Sequence, residues 1–135
     1  YIRFFYYLID YVLGQWVIFA KHGLKGDIVI YDRYYFDFIV DAKRTNINLN
    51  PKFIKFFYRF IFKPEMNIFL YANPDVILSR KQEMDKQSIV SLTLKYKALF
   101  SELDEFSNEN YILIDNLDKS STMRTIERNY YKEIL

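Results

Sequence analysis

The chain has no cysteine, which excludes disulfides and any thiolate-held metal or redox centre. Glycine and proline occur three times each in 135 residues. With so few glycines there is no G-x-x-x-x-G-K-[S/T] loop, the usual backbone cradle for a triphosphate. The one histidine, His22, sits in a Lys-His-Gly sequence and reads as the end of a helix, where it stabilises the last carbonyls, not as a catalytic base. Neither sign of charge dominates: 19 basic and 17 acidic residues leave a net charge of +2. That balance provides no field for nucleic acid. A basic leader with a small-residue cleavage site is also missing, so the amino-terminal apolar stretch is not a secretory signal.

What the chain does have is apolar and aromatic bulk, 51% hydrophobic and 20% aromatic. This excludes disorder and is enough to build one substantial core. Residues 1–20 are apolar enough to raise the question of a membrane span, but Arg3, Asp10 and Gln15 interrupt them. At about 100° per residue, Arg3, Asp10, Gly14 and Lys21 fall on one narrow stripe. Phe5, Leu8, Val12, Trp16 and Phe19 lie on the opposite side. The pattern predicts a helix packed on a sheet with one wet edge, and a homodimer through residues 1–20 in preference to a membrane anchor.

Next, Asp27-Ile28-Val29-Ile30-Tyr31 reads as a buried strand that ends in Asp32 and Arg33. In open parallel α/β sheets the carboxyl ends of strands are where ligands bind. An aspartate there can hold hydrated Mg²⁺, and an adjacent arginine can grip a phosphate. Residues 34–41 read as a short helix or ligand loop, with Asp41 and Arg44 either selecting a ligand or forming ordinary surface. Asn50-Pro51 opens a helix to about Phe62, whose Lys52, Lys55, Arg59 and Lys63 form a solvated face. A strand at 67–71 and a second Asn-Pro helix start at Asn73-Pro74 follow, the helix running to about Met84. Ser88 to Phe106 is an amphipathic helix, 111–115 a third strand whose Asp115 caps the next loop, and Ser121 to Ile134 a closing helix. Strands separated by helices predict a parallel sheet flanked by helices, one α/β domain over residues 1–135.

In this order the chain resembles the carboxyl-terminal two thirds of the thymidylate kinases, which are P-loop nucleoside monophosphate kinases. Three blocks carry the resemblance: Ile28-Val29-Ile30-Tyr31-Asp32-Arg33-Tyr34; Pro64 to Asp75 followed by Arg80-Lys81-Gln82-Glu83; and the long helix leading to Tyr111-Ile112-Leu113-Ile114-Asp115. The resemblance implies a P-loop three-layer sandwich, here incomplete because the first, central strand and its phosphate loop are absent from the sequence. A chain that enters at Tyr1 directly into a helical pattern reads as an interrupted protein. The resemblance also implies ATP and Mg²⁺ as cofactors, a nucleoside monophosphate as substrate, and a cytoplasmic location. It places Asp32 by the phosphates and metal, with Arg33, Tyr34 and Asp37 by the acceptor. Arg80, Lys81 and Lys86 would belong to the lid. Asp37 stands where many members have serine, and the lid is short and poor in arginine. The competing expectations are a non-catalytic remnant that binds phosphate or a partner, and a membrane-associated α/β domain.

Overall fold

The structure, a computed structural model, describes residues 1–107 and 109–134. The fold is mixed α/β and mostly helical, with a small open sheet of two parallel strands. The chain divides into two compact units, Tyr1–Phe62 and Lys63–Leu135.

The first unit is helical. Its long helix α1 (Ile2–Lys21) contains no proline and a single glycine, Gly14. It closes at His22, whose Nδ1 lies 3.0 Å from an Asp27 carboxylate oxygen. The side chain therefore contacts the following loop, not the last carbonyls. Gly26 then turns the chain at φ 76°, a backbone conformation that glycine adopts without a Cβ penalty. Two short helices follow, α2 (Phe36–Val40) and α3 (Ala42–Thr45). Helix α4 (Pro51–Phe57) starts where Asn50 accepts the Lys52 N–H at 2.9 Å, and it tightens into a 3₁₀ turn at Tyr58–Phe60.

Aromatic packing holds this unit together. Tyr35, Phe4 and Ile54 are its most buried side chains. Tyr35 stacks on Tyr58 with centroids 5.8 Å apart and donates its hydroxyl to the Ile54 carbonyl at 2.8 Å. Phe4 meets Phe57 edge-on at 5.6 Å. Helix α1 turns a different face inward from the one expected. Phe4 and Gln15 are buried, with Leu8, Tyr11 and Ile18 half-buried along the same ridge. Trp16 and Phe19, expected inside, are 58% and 46% exposed. The reason is Gln15, whose amide the unit satisfies internally instead of leaving it in water.

The main correction concerns residues 27–31, which form no strand. A strand needs a ladder partner for its backbone groups. Among the described residues the only ladder joins two other strands to each other. Ile28 and Ile30 are 71% and 87% exposed as a result.

The second unit contains that ladder. Strands β1 (Met66–Tyr71) and β2 (Asn110–Asp115) pair in parallel, with Met66 opposite Asn110 and Tyr71 opposite Asp115. Between them run α5 (Pro74–Arg80), capped by Asn73, and α6 (Lys86–Phe106). Helix α5 ends at Arg80, short of Met84, because Lys81 is extended. Helix α6 packs on the sheet by stacking Tyr96 on Phe69 at 4.5 Å and setting Phe100 edge-on to Tyr111 at 5.4 Å. Buried Asn67 ties the starts of both strands by donating to the Pro64 and Asn110 carbonyls. Helix α7 (Lys119–Glu133) begins where Asp118 accepts the Ser121 N–H at 3.0 Å, so Asp118 does the capping expected of Asp115.

Two tyrosine hydroxyls in the first unit should respond oppositely to removal. Tyr35→Phe breaks a buried hydrogen bond and should cost about 1 kcal/mol or more, lowering Tm by a few degrees. Among the described residues the buried Tyr11 hydroxyl makes no hydrogen bond of good geometry, only a weaker approach to the Tyr35 backbone, so Tyr11→Phe should leave Tm unchanged or raise it. Thermal melts of the two variants check this; equal destabilisation would mean that the Tyr11 hydroxyl is satisfied after all.

Candidate functional site

The residues expected to form a site fall in different units. Asp32, Arg33, Tyr34 and Asp37 belong to the first; Arg80, Lys81 and Lys86 belong to the second. Each group is described within its own unit.

Asp32 and Arg33 occupy the bend between the irregular 27–31 segment and α2, and both are exposed. Arg33 lies 3.8 Å from Asp37, one helical turn on. An exposed pair at that distance contributes little and restrains the guanidinium weakly. Tyr34 points back into the unit, where its hydroxyl accepts from Gln15 Nε2 at 2.5 Å. Its ring meets Tyr11 at 5.6 Å and Tyr31 at 5.2 Å, both edge-on. Tyr34 therefore anchors the Asp-Arg bend to α1. Asp41, buried, accepts the Arg44 N–H at 3.2 Å and caps α3, so its carboxylate serves the backbone.

In the second unit Arg80 is the last residue of α5, and the stretch to Asp85 is not helical. Lys81 pairs with Glu83 at 2.7 Å, and Lys86 pairs with Asp75 at 2.9 Å. All four of these side chains are largely exposed. Asp85 bonds the Ser88 hydroxyl at the start of α6.

Sequence reasoning missed a feature of this unit. An open hollow of about 310 Å³ lies at the carboxyl ends of β1 and β2, lined by Tyr71, Asn73, Thr93, Leu94, Lys97 and Asp115. The Lys97 ammonium sits 3.8 Å from the centre of the Tyr71 ring, a cation–π arrangement. The hollow therefore offers one cation, one carboxylate and an aromatic face. Lys97 gave no signal in the sequence, because a lysine beside the apolar ridge of an amphipathic helix looks like any solvated charge. Asp115 was visible as a strand-end carboxylate but was assigned to capping.

Among the described residues no group of three or more His, Cys, Asp or Glu could hold a metal ion. Asp32 could take part in binding a cation only through waters or with a ligand's own phosphates, as hydrated Mg²⁺ is commonly held. No helix is long and apolar enough to cross a membrane among the described residues. No protein-family model matches the chain, and neither a curated protein nor a solved structure matches it.

The tyrosines behind the Asp-Arg bend set a pH dependence. Burial pushes the Tyr11, Tyr35 and Tyr31 hydroxyls above their ordinary 10.0, and at Tyr11 the neighbouring Tyr34, Tyr31 and Asp37 push further. Because the unfolded tyrosines ionise first, stability should hold up to about pH 10 and fall above it. The fall is at most ~1.4 kcal/mol per pH unit for each group. Chemical denaturation between pH 8 and about pH 11 measures the slope, which Tyr11→Phe should make shallower.

Proposed function

We propose that this chain is most of a P-loop kinase of the thymidylate-kinase-like kind, which moves the ATP γ-phosphate onto a nucleoside monophosphate in the cytoplasm. The observation that carries this reading is the in-register parallel pairing of β1 and β2 across helical connections. It leaves Asn73, Lys97 and Asp115 around a hollow at the strands' carboxyl edge, where open α/β sheets take their ligands. Asp32, Arg33 and the Arg80 segment, which belong to the blocks that carry the resemblance, are exposed and chemically suited to phosphate. The finer fold in this proposal is the three-layer P-loop sandwich. Its central strand and phosphate loop are not among these 135 residues.

In this mechanism Asp32 would hold a hydrated Mg²⁺, which would supply positive charge to the phosphates when bound. Arg33 leaves its weak pairing with Asp37 and clamps the acceptor phosphate. Tyr34, held by Gln15, keeps the bend in place, and Asp37 borders the acceptor. Within the second unit, Arg80, Lys81 and Lys86 take the lid role that the resemblance implies, supplying positive charge and excluding water. Positioned positive charge supplies most of what phosphoryl transfer requires. A second reading, a remnant that binds phosphate or a partner without catalysis, is favoured by the exposed 28–30 segment, beside which no strand lies among the described residues.

A coupled assay of diphosphate formation, run on a form that carries the phosphate loop, tests the first reading. Asp32→Asn should lower kcat by about 100-fold or more with little change in acceptor KM, because the lost interaction belongs to the transition state. Arg33→Ala should also raise acceptor KM, by about tenfold. If both variants keep full activity, the site assignment is wrong. If the unaltered form transfers no phosphate, the remnant reading takes its place.

A further inference from the structure

Between Asp41 and Glu65 the chain carries six basic residues and no acidic one. Helix α4 and the 3₁₀ turn after it lie in this stretch, and within the first unit they bury Ile54 and Tyr58 and, just beyond, Ile61. The opposite side presents Lys52, Phe56, Arg59 and Phe60, all exposed, with Lys55 half-buried at its margin. Three- and four-residue spacing makes these positions one continuous face. The sequence pattern predicts a solvated basic face; the structure sets two aromatic rings within it. Phe56 and Phe60 are 50% and 62% exposed, with centroids 6.2 Å apart. The central carbon of the Arg59 guanidinium lies 4.4 Å from the centre of the Phe56 ring.

We propose that this face docks peripherally on an anionic lipid bilayer, with Lys52, Lys55 and Arg59 among the headgroups and the Phe56 and Phe60 rings beneath them. Charge complementarity argues for that occupant: a basic face without an acidic residue in its stretch of chain is drawn to anionic headgroups. The rings gain by leaving water for the acyl boundary, and the long cationic side chains reach back from it to the headgroups. A single-stranded nucleic acid also pairs cations with rings, but it needs ring faces on which bases stack. Here Arg59 occupies a face of Phe56, and the Phe56 and Phe60 rings are inclined at 70°, so they offer no shared platform. The attachment is superficial, since among the described residues no helix is long and apolar enough to cross a membrane. The proposal does not depend on the phosphotransfer reading.

Phosphatidylcholine vesicles containing about 30% phosphatidylserine should pellet the 135-residue chain, whereas pure phosphatidylcholine vesicles should not. Raising the salt from about 0.1 M to about 0.5 M should release most of it. Lys52→Glu alters an exposed side chain and should weaken binding at least about tenfold. Lys119→Glu, the same charge change on α7, should alter binding by less than about twofold. Phe56→Ser/Phe60→Ser keeps every cation and should also weaken binding about tenfold or more, with the helical circular dichroism unchanged. If that variant loses its helical signal, the comparison of Lys52→Glu with Lys119→Glu decides. No pelleting with the anionic vesicles, equal losses in the two lysine variants, or full binding by a folded Phe56→Ser/Phe60→Ser chain would overturn the proposal. So would release from the vesicles by an equimolar single-stranded oligothymidylate.

Discussion

The first unit depends on one buried amide. Gln15 is 4% exposed in the middle of an apolar helix, and its side chain serves both segments that must be held there. Its Nε2 donates to the Tyr34 hydroxyl and, at 3.4 Å, to the Phe62 carbonyl, while its Oε1 accepts the Phe62 N–H. An unsatisfied amide at that depth would cost a few kcal/mol, so the rotation of α1 that satisfies it is strongly preferred. The same rotation seats Phe4 against α4, draws Tyr34 inward and leaves the Asp32–Arg33 bend outside. Hydrophobic bulk makes the unit compact; the amide selects which of several apolar faces is the inner one.

That selection explains what the sequence could and could not tell. Capping chemistry was legible: Asn50-Pro51 and Asn73-Pro74 open helices because an asparagine oxygen and a proline at the first position are local devices. The two strands of the second unit and helix α6 between them were legible from periodicity for the same reason. The inner face of α1 was not, because a helix apolar on nearly every side contains no amphipathic contrast to read, and Gln15 looked like an interruption. The strand at 27–31 failed for a different reason. Its residues have every local preference for a strand, but a strand is a property of pairs, and its partner is not specified locally.

The candidate site divides along the same line. Asp32, Arg33 and Arg80 were visible because they punctuate element ends, where a charged residue stands out against an apolar run. Lys97 and the Tyr71 ring beneath it were not visible, because they meet only once α6 lies along β1. Tyr34 and Asp41 were visible as polar residues by a ligand loop. The fold uses both of them to hold backbone and helix in place, an ordinary demand on polar groups near a bend.

The exposed run Ile28-Val29-Ile30, followed by half-buried Tyr31, also affects how this polypeptide behaves in bulk. It is a short run outside any helix or strand, with high β-propensity, no charge and no proline, flanked by Asp27 and by Asp32-Arg33. Such segments template intermolecular cross-β stacking when their backbone groups go unpaired. During synthesis or refolding this segment would therefore compete between docking and aggregation, and crowding many copies together would favour the insoluble outcome. Its solubility would be governed less by the aromatic core than by how soon something lies down beside four residues.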